Sequence, residues 1–405
     1  MKITLLIILA SLIMGSINLN AQDKSSFTTY WDNGLKIESD NGDFKLKMGG
    51  RLQYDMMVMN QSDSLNSYFP NAYNGTEIRR ARFYFSGKIY KNISYKVQID
   101  FGTNLISVKD AYLAFHKIPI VGNLKVGKFK APFGFNTLTS SKYLTMMERA
   151  QSSNFDDDRH LGLMLYRSHL NKRLTWQAGF FYPNDDNNKY QGNAYNLVGR
   201  IVGLPIYNTD DKNYNILHLG FAYSYQFHNN KTFTLKHRPE AHLAPKYSKF
   251  EIKHLHYINA FNIELVYIYK RFMFQSEYHD LVFQPTDGQT AINGSTKLGA
   301  YYGTLSFFLT DDHKAYSTSK TVFSKVNPKN NYGEEGWGAF EVAARYSHVD
   351  DSKQYTYGGA MDNIALGLNW YANPAVKVAL NYVHSINHAY DGNADIFQMR
   401  FQVAF

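Results

Sequence analysis

A chain of 405 residues with no Cys, 43 Lys and Arg against 34 Asp and Glu, and a formal net charge of +9 excludes a disulfide-stapled fold. A mean hydropathy of −0.40 excludes a bundle of membrane-spanning helices. Tyr (32) and Phe (28) are abundant and Pro (10) is scarce, a composition that suits strands and interfacial aromatic girdles. The excess of bases points to an anionic partner, either small ions or lipid phosphates; no nucleic-acid partner is expected.

At the N-terminus Lys2 precedes an apolar run from Ile3 to Met14, followed by Gly15, Ser16 and Ala21. That charged, apolar and small-residue layout predicts a secretory signal peptide over residues 1–21. Its apolar core is shorter than a spanning helix requires. No later segment is continuously apolar enough to span as a helix, so any membrane crossing must use strands. Residues 22–42 are read as a periplasmic N-terminal segment, and 43–405 as one barrel domain.

Strands are expected near 43–59, 77–91, 93–102, 106–117, 122–131, 159–168, 173–183 and 194–204, and then near 214–227, 256–270, 271–282, 297–310, 336–349, 361–372, 375–386 and 394–405. In the first, Phe44, Leu46, Met48, Leu52 and Tyr54 share one face, and Lys45, Lys47, Arg51, Gln53 and Asp55 the other. In the second, Ala81, Phe83 and Phe85 oppose Arg80, Arg82 and Tyr84; in the third, Tyr95, Val97 and Ile99 oppose Lys96, Gln98 and Asp100. The last ten residues set Phe397, Met399, Phe401, Val403 and Phe405 against Gln398, Arg400 and Gln402, so the chain stops on an aromatic strand. A Lys or Arg on the lipid face near the midplane costs about 2–4 kcal/mol, so the polar face must look inward. The lumen is then expected to hold Lys45, Lys47, Arg51, Arg80, Arg82, Lys96, Arg200, Arg345, Lys377 and Arg400, with Asp55, Asp100, Asp110, Glu264, Glu277 and Glu341. The expected fold is all-β: a transmembrane antiparallel barrel of sixteen strands with an inward-folded constriction loop.

Tight turns at 90–92, 170–172 and 372–374 alternate with long connections at 60–76, 132–158, 228–255, 283–296 and 311–335, which are expected on the opposite rim. In the 132–160 segment Ser140 or Ser141 is placed to cap a short helix running through Glu148. Folded inward, that helix brings Lys142 and Arg149 to the solute path. Asp156, Asp157 and Asp158 read as an exposed acidic turn rather than a cation site, and no metal or cofactor is expected. The His- and Lys-rich stretch 228–255 reads as a solvated loop.

Several of these segments resemble the phosphate-selective porin O and P family of Gram-negative outer membranes. The resemblance rests on GDFKLKMGGRLQYD (42–55), RRARFYFSGKIYKNISYKVQIDFG (79–102), VKDAYLAF (108–115), LKVGKFKAPFG (124–134) and SSKYLTMMER (140–149). FFLTDDHKAY (307–316), GWGAFEVAARYS (336–347) and LGLNWYANPAVKVALNYVHS (366–385) follow in order. It implies sixteen-stranded trimeric channels with a constriction loop after the fifth strand, an arginine ladder and a lysine-lined narrow site for phosphate or polyphosphate. Carried over by motif, Arg80 and Arg82 are ladder candidates, and Lys128 and Lys130 constriction candidates. Leu124 and Val126 share parity with those two lysines, so alternation leaves the facing of the fifth strand open.

An anion in a narrow pore needs donors to replace its water; Arg offers a fork and Lys a compact charge. The expected function is passive outer-membrane diffusion of small anions, phosphate or polyphosphate favoured. The alternative is a weakly selective porin whose bases merely pair with inward acids. A membrane hydrolase or a plugged adhesin barrel are the rival classes. No G-x-S-x-G, H-E-x-x-H, Walker or Rossmann motif supports the hydrolase, and no enzymatic activity is expected. The expected partners are small anions, outer-membrane lipid and lipopolysaccharide, two further copies of the chain, and the barrel-assembly machinery at the strand ending on Phe405.

Overall fold

The computed structural model describes residues 26–405 apart from 72, 103–105, 157, 184–193, 287–295, 335, 351–355 and 358. The expected leader and Asp157 therefore lie outside the described residues. Sixteen antiparallel strands form one closed sheet. They are β1 Lys45–Gln61, β2 Asn74–Ile89, β3 Ile93–Asp100, β4 Ser107–Ile118, β5 Gly122–Lys130, β6 Arg159–His169, β7 Leu174–Tyr182 and β8 Tyr195–Asn208. The second half comprises β9 Asn215–His237, β10 Ser248–Tyr269, β11 Phe272–Pro285, β12 Thr296–Phe308, β13 Ala339–Asp350, β14 Met361–Tyr371, β15 Val376–Asn387 and β16 Gly392–Ala404. Closure comes from β16 lying against β1, with Ala394 opposite Gln61 and Ala404 opposite Arg51. Joining first strand to last removes the open sheet edge that would otherwise seek a partner.

Side chains follow the period-two pattern. Leu52, Met56 and Val58 are exposed on the outer wall of β1, while Arg51, Gln53 and Asp55 are buried inside. On β16 Phe397, Phe401 and Val403 face out, and Gln398, Arg400 and Gln402 face in. The lumen is filled by polar side chains and inserted loops, the inverse of a soluble barrel.

Three expectations need correction. The stretch 228–255 is mostly strand, since β9 and β10 run on to His237 and back from Ser248. Its charges mask a period of two, in which Leu235, Phe250 and Ile252 are buried while Lys236 and Lys253 are exposed. Only 238–247 is loop, and it folds inward, with Tyr247 donating to Gln61 at 2.7 Å. The connection 309–338 lies on the tight-turn rim, because it follows an even-numbered strand as the tight turns do. Its length lets a two-residue hairpin, Tyr316–Ser317 with Val322–Phe323, climb into the lumen and set Phe323 edge-on to Phe135 at 4.9 Å. Finally, no helix starts at Ser140 or Ser141; the loop's helical turns are Phe135–Leu138 and Gln151–Phe155.

A hairpin of Phe27–Trp31 and Leu35–Ser39 precedes the barrel. Its second strand pairs with the start of β1, Leu35 opposite Met48 and Glu38 opposite Lys45. The sheet thus continues past the point where β16 ends.

Candidate functional site

Two bulges add bases to the lumen that simple alternation hides. Where Gln53 pairs with Arg80 but Tyr54 pairs with Ile78, Arg79 is left over and turns inward beside Arg80. Where Gln98 pairs with Asp110 but Ile99 pairs with Val108, Lys109 is left over and joins the lumen wall. An extra residue in one strand re-aims its side chain, which is the mechanical effect of a bulge.

The constriction loop, 131–158, crosses the lumen and is fastened on three sides. Glu148 is the main anchor: Arg79 grips its carboxylate with two bonds of 3.0 Å, and Arg400 adds one of 2.6 Å. Burial alone would raise the Glu148 carboxyl, but Arg79, Arg80 and Arg400 hold it well below the usual range. Arg345 donates to the Glu148 carbonyl at 3.0 Å and to Glu240 of the neighbouring inward loop at 3.1 Å. On the far wall Glu277 accepts from the backbone N–H of Phe135 and Asn136 at 2.7 and 2.8 Å, and from Tyr302 at 2.5 Å. On β15, Lys377 donates to the Leu144 carbonyl and Asn381 accepts from the Met147 N–H. These charge-assisted bonds offset the cost of burying the anchoring carboxylates and guanidiniums.

Between this loop, the inner wall of β1–β7, the turn-rim ends of β14–β16 and the 309–338 insert lies a cavity of about 1070 Å³. Fifteen Lys and Arg side chains line it against three carboxylates, Asp100, Asp110 and Asp158. Those acids neutralise part of the excess: Arg82 meets Asp100 at 2.7 Å, Lys96 meets Asp110 at 2.6 Å, and Arg159 bonds Asp110 at 2.8 Å. Arg51, Lys47, Lys109, Lys125, Lys142 and Lys320 have no carboxylate partner among the described residues. Arg51 donates to the hydroxyls of Ser140 and Ser141 at 3.1 and 2.7 Å. Lys142 stands over the rings of Tyr84 and Tyr143. Burial and the nearby Arg51 and Lys47 charges push its ammonium down to about 7. Arg51, Ser140, Ser141 and Lys142 therefore present one guanidinium, two hydroxyls and an ammonium at one spot, a donor set for a tetrahedral oxyanion.

The expected residues divide accordingly. Arg51 and Lys142 come together, with Ser140 and Ser141 serving Arg51 instead of capping a helix. Arg80, Arg345 and Arg400 do face the lumen but hold the loop; Arg400 clasps Asp55 through bonds of 2.7 and 2.6 Å. Arg82 and Lys96 are paired on the cavity wall. Arg149 donates to the carbonyls of Asn136, Thr137 and Thr139, fixing the loop's own turn. Lys130 reaches the Thr137 carbonyl at the cavity edge. Lys128 is a correction: it sits on the outward parity of Val126, beside exposed Leu161, and does not line the cavity. Lys125 takes the inward place instead, its ammonium 4.8 Å from the centre of the Tyr112 ring and 5.1 Å from that of Phe129. Phe129 faces in as well, and Lys130 at the end of the strand turns back into the cavity. Among the described residues no His, Asp and Glu cluster is arranged to hold a metal ion.

Porin O of Pseudomonas aeruginosa is 25% identical over 92% of this chain and 91% of its own length. An anion-selective porin from Comamonas acidovorans superposes with a TM-score of 0.56 at 11% identity, covering 89% of this chain and 100% of that one. OmpT of Vibrio cholerae, in its trimer form, gives 0.54 at 10% identity over 89% and 99%. At such identities the two structures speak for the fold, a sixteen-stranded outer-membrane barrel. The family model described as phosphate-selective porin O and P matches residues 46–405, which is the whole barrel. The chain therefore belongs to the phosphate-selective porin O and P family of Gram-negative outer-membrane porins.

Proposed function

We propose that this porin passes small anions down their gradient and favours phosphate-like solutes at Arg51, Ser140, Ser141 and Lys142. The observation that carries the reading is the charge of the cavity, fifteen bases against three acids, with Arg51 and Lys142 free of carboxylates. An anion entering this space exchanges its hydration shell for fixed donors without having to break an existing ion pair. Several weak sites in succession, Lys125 and Lys109 on the wall and Lys320 on the insert, let the ion leave as well as enter. No cofactor or energy source enters this scheme, and no residue is assigned a catalytic task.

The assembly we propose is a homotrimer, delivered to the membrane by the barrel-assembly machinery through the strand ending on Phe405. Lipopolysaccharide is the proposed neighbour of the outer rim, where Lys236 and Lys253 of the β9–β10 hairpin are exposed. A weakly selective porin is the second reading, favoured by the pairing of Arg82 with Asp100 and Lys96 with Asp110. Single-channel conductance in a planar bilayer separates the two. The first reading expects an anion-selective reversal potential and chloride current blocked by added phosphate, with the block weakened in Arg51→Ala. Open channels indifferent to phosphate support the second; cation selectivity refutes both.

A further inference from the structure

We propose that the N-terminal hairpin is a working part of the pore, and that Asp32 at its turn sets how readily an anion leaves through the tight-turn mouth. The proposal rests on the anion reading above and adds a residue to it. Asp32, Asn33 and Gly34 join the two hairpin strands, which close with Trp31 opposite Leu35. Asp-Asn-Gly is a turn sequence: Asn33 and Gly34 take φ values of 54° and 126°, a region that Asn tolerates and Gly enters freely. Pairing of Leu35 with Met48 of β1 then fixes where the turn points. Asn33 lines the cavity together with Lys47. It accepts from the Lys325 ammonium of the 309–338 insert, so hairpin and insert meet across the mouth. Lys47 donates to the Asp32 carbonyl at 3.1 Å, and Lys36 pairs with the Asp32 carboxylate.

The distribution of charge along the cavity gives this turn its task. All three carboxylates of the lining belong to the long-loop half: Asp100 ends β3, Asp110 lies near the start of β4, and Asp158 precedes β6. The tight-turn half carries Lys47, Lys125, Lys320, Lys325 and Lys377, with no carboxylate among the described residues of the lining. An anion reaching this end would meet unrelieved attraction at the point where it has to leave. Conduction needs sites weak enough to release the ion. Asp32 supplies the opposing charge there: its carboxylate is half exposed, and its field reaches both Lys47 and Lys325. The pair with Lys36 is exposed and screened by solvent, so it spends little of that charge. Without Asp32, the ammoniums of Lys36, Lys47 and Lys325 would stand together at the exit.

The chain has no Cys, so Asp32→Cys can be recharged chemically. A cationic and an anionic methanethiosulfonate place opposite charges at this one position, with labelling verified by mass before the channels enter a planar bilayer. A unit charge about 9 Å from the departing ion, in a water-rich mouth, changes its local affinity about two- to fivefold. Relative to the unlabelled variant, the cationic label should strengthen sulfate block of chloride current by that factor. The anionic label, which restores the Asp32 charge, should weaken it by as much, and the reversal potentials should separate in the same order. Asp32→Asn, which keeps the backbone of the turn, should strengthen the block relative to the parent. Labelled channels that match the unlabelled one in block and reversal potential overturn the proposal, as does an Asp32→Asn channel identical to the parent. A parent channel that is cation-selective and indifferent to sulfate refutes the anion reading instead; a label-dependent reversal potential would still place Asp32 at the mouth.

Discussion

Lys142 makes the proposed site titratable near neutrality. Its ammonium, pushed down to about 7 by burial and by the charges of Arg51 and Lys47, is about nine-tenths protonated at pH 6 and about one-tenth at pH 8. The charge therefore favours anion binding below pH 7 and is lost as pH rises through that value. A unit charge about 5 Å from a bound anion contributes roughly 1–3 kcal/mol between the dielectric of water and that of a protein surface. Raising the pH from 6 to 8 should thus weaken anion block by about 3- to 10-fold, the ceiling being set by the one-tenth of channels that keep the charge at pH 8. Sulfate is the proper probe, because phosphate itself gains charge over the same range and would mask the effect. The assay is sulfate block of single-channel chloride current at both pH values, in the parent and in Lys142→Arg, whose guanidinium keeps its charge. Expected is a strong pH dependence in the parent and little in the arginine variant. Equal pH dependence in the two proteins would refute the assignment of the titrating group to Lys142.

Lys125→Ala should lower the anion-to-cation permeability ratio, whereas Lys128→Ala should leave it unchanged, as read from reversal potentials under a salt gradient; the reverse order would mean that the facing of β5 is wrong. Glu148→Ala leaves the guanidiniums of Arg79 and Arg400 buried without their shared carboxylate, at a cost of about 3–5 kcal/mol. The expected readouts are a lower thermal unfolding midpoint and larger, noisier conductance from a loosened loop; an unchanged channel would show that the loop is held elsewhere. Glu277→Ala orphans the N–H groups of Phe135 and Asn136 at about 1–3 kcal/mol each. It should raise current noise with little change in selectivity, since Glu277 stands on the wall away from the cavity.

Alternation in the sequence determined the barrel, the inward set of charges and the closing strand, because a period of two is a local property that survives without knowledge of neighbours. It reached Arg51, Asp55, Arg80 and Arg400 for that reason. Where acidic and basic side chains dominated both faces, as in 228–255, the same period was present but hidden by the charges. What tertiary structure alone decided was the fate of each inward charge. Arg400 and Asp55 are 345 residues apart in the chain, and Arg79 meets Glu148 across a gap of 69. Nothing in local spacing says that Arg80, Arg345 and Arg400 fasten a loop while Arg51 and Lys142 stay free. Bulges, which brought in Arg79 and Lys109, depend on the register between two strands and are invisible in either strand alone. The facing of Lys125 and Lys128 was settled the same way, by which side of β5 packs against Tyr112 and which against the outer wall. Hence the sequence set the sign of the lumen, and the docking of the constriction loop chose which charges a solute can meet.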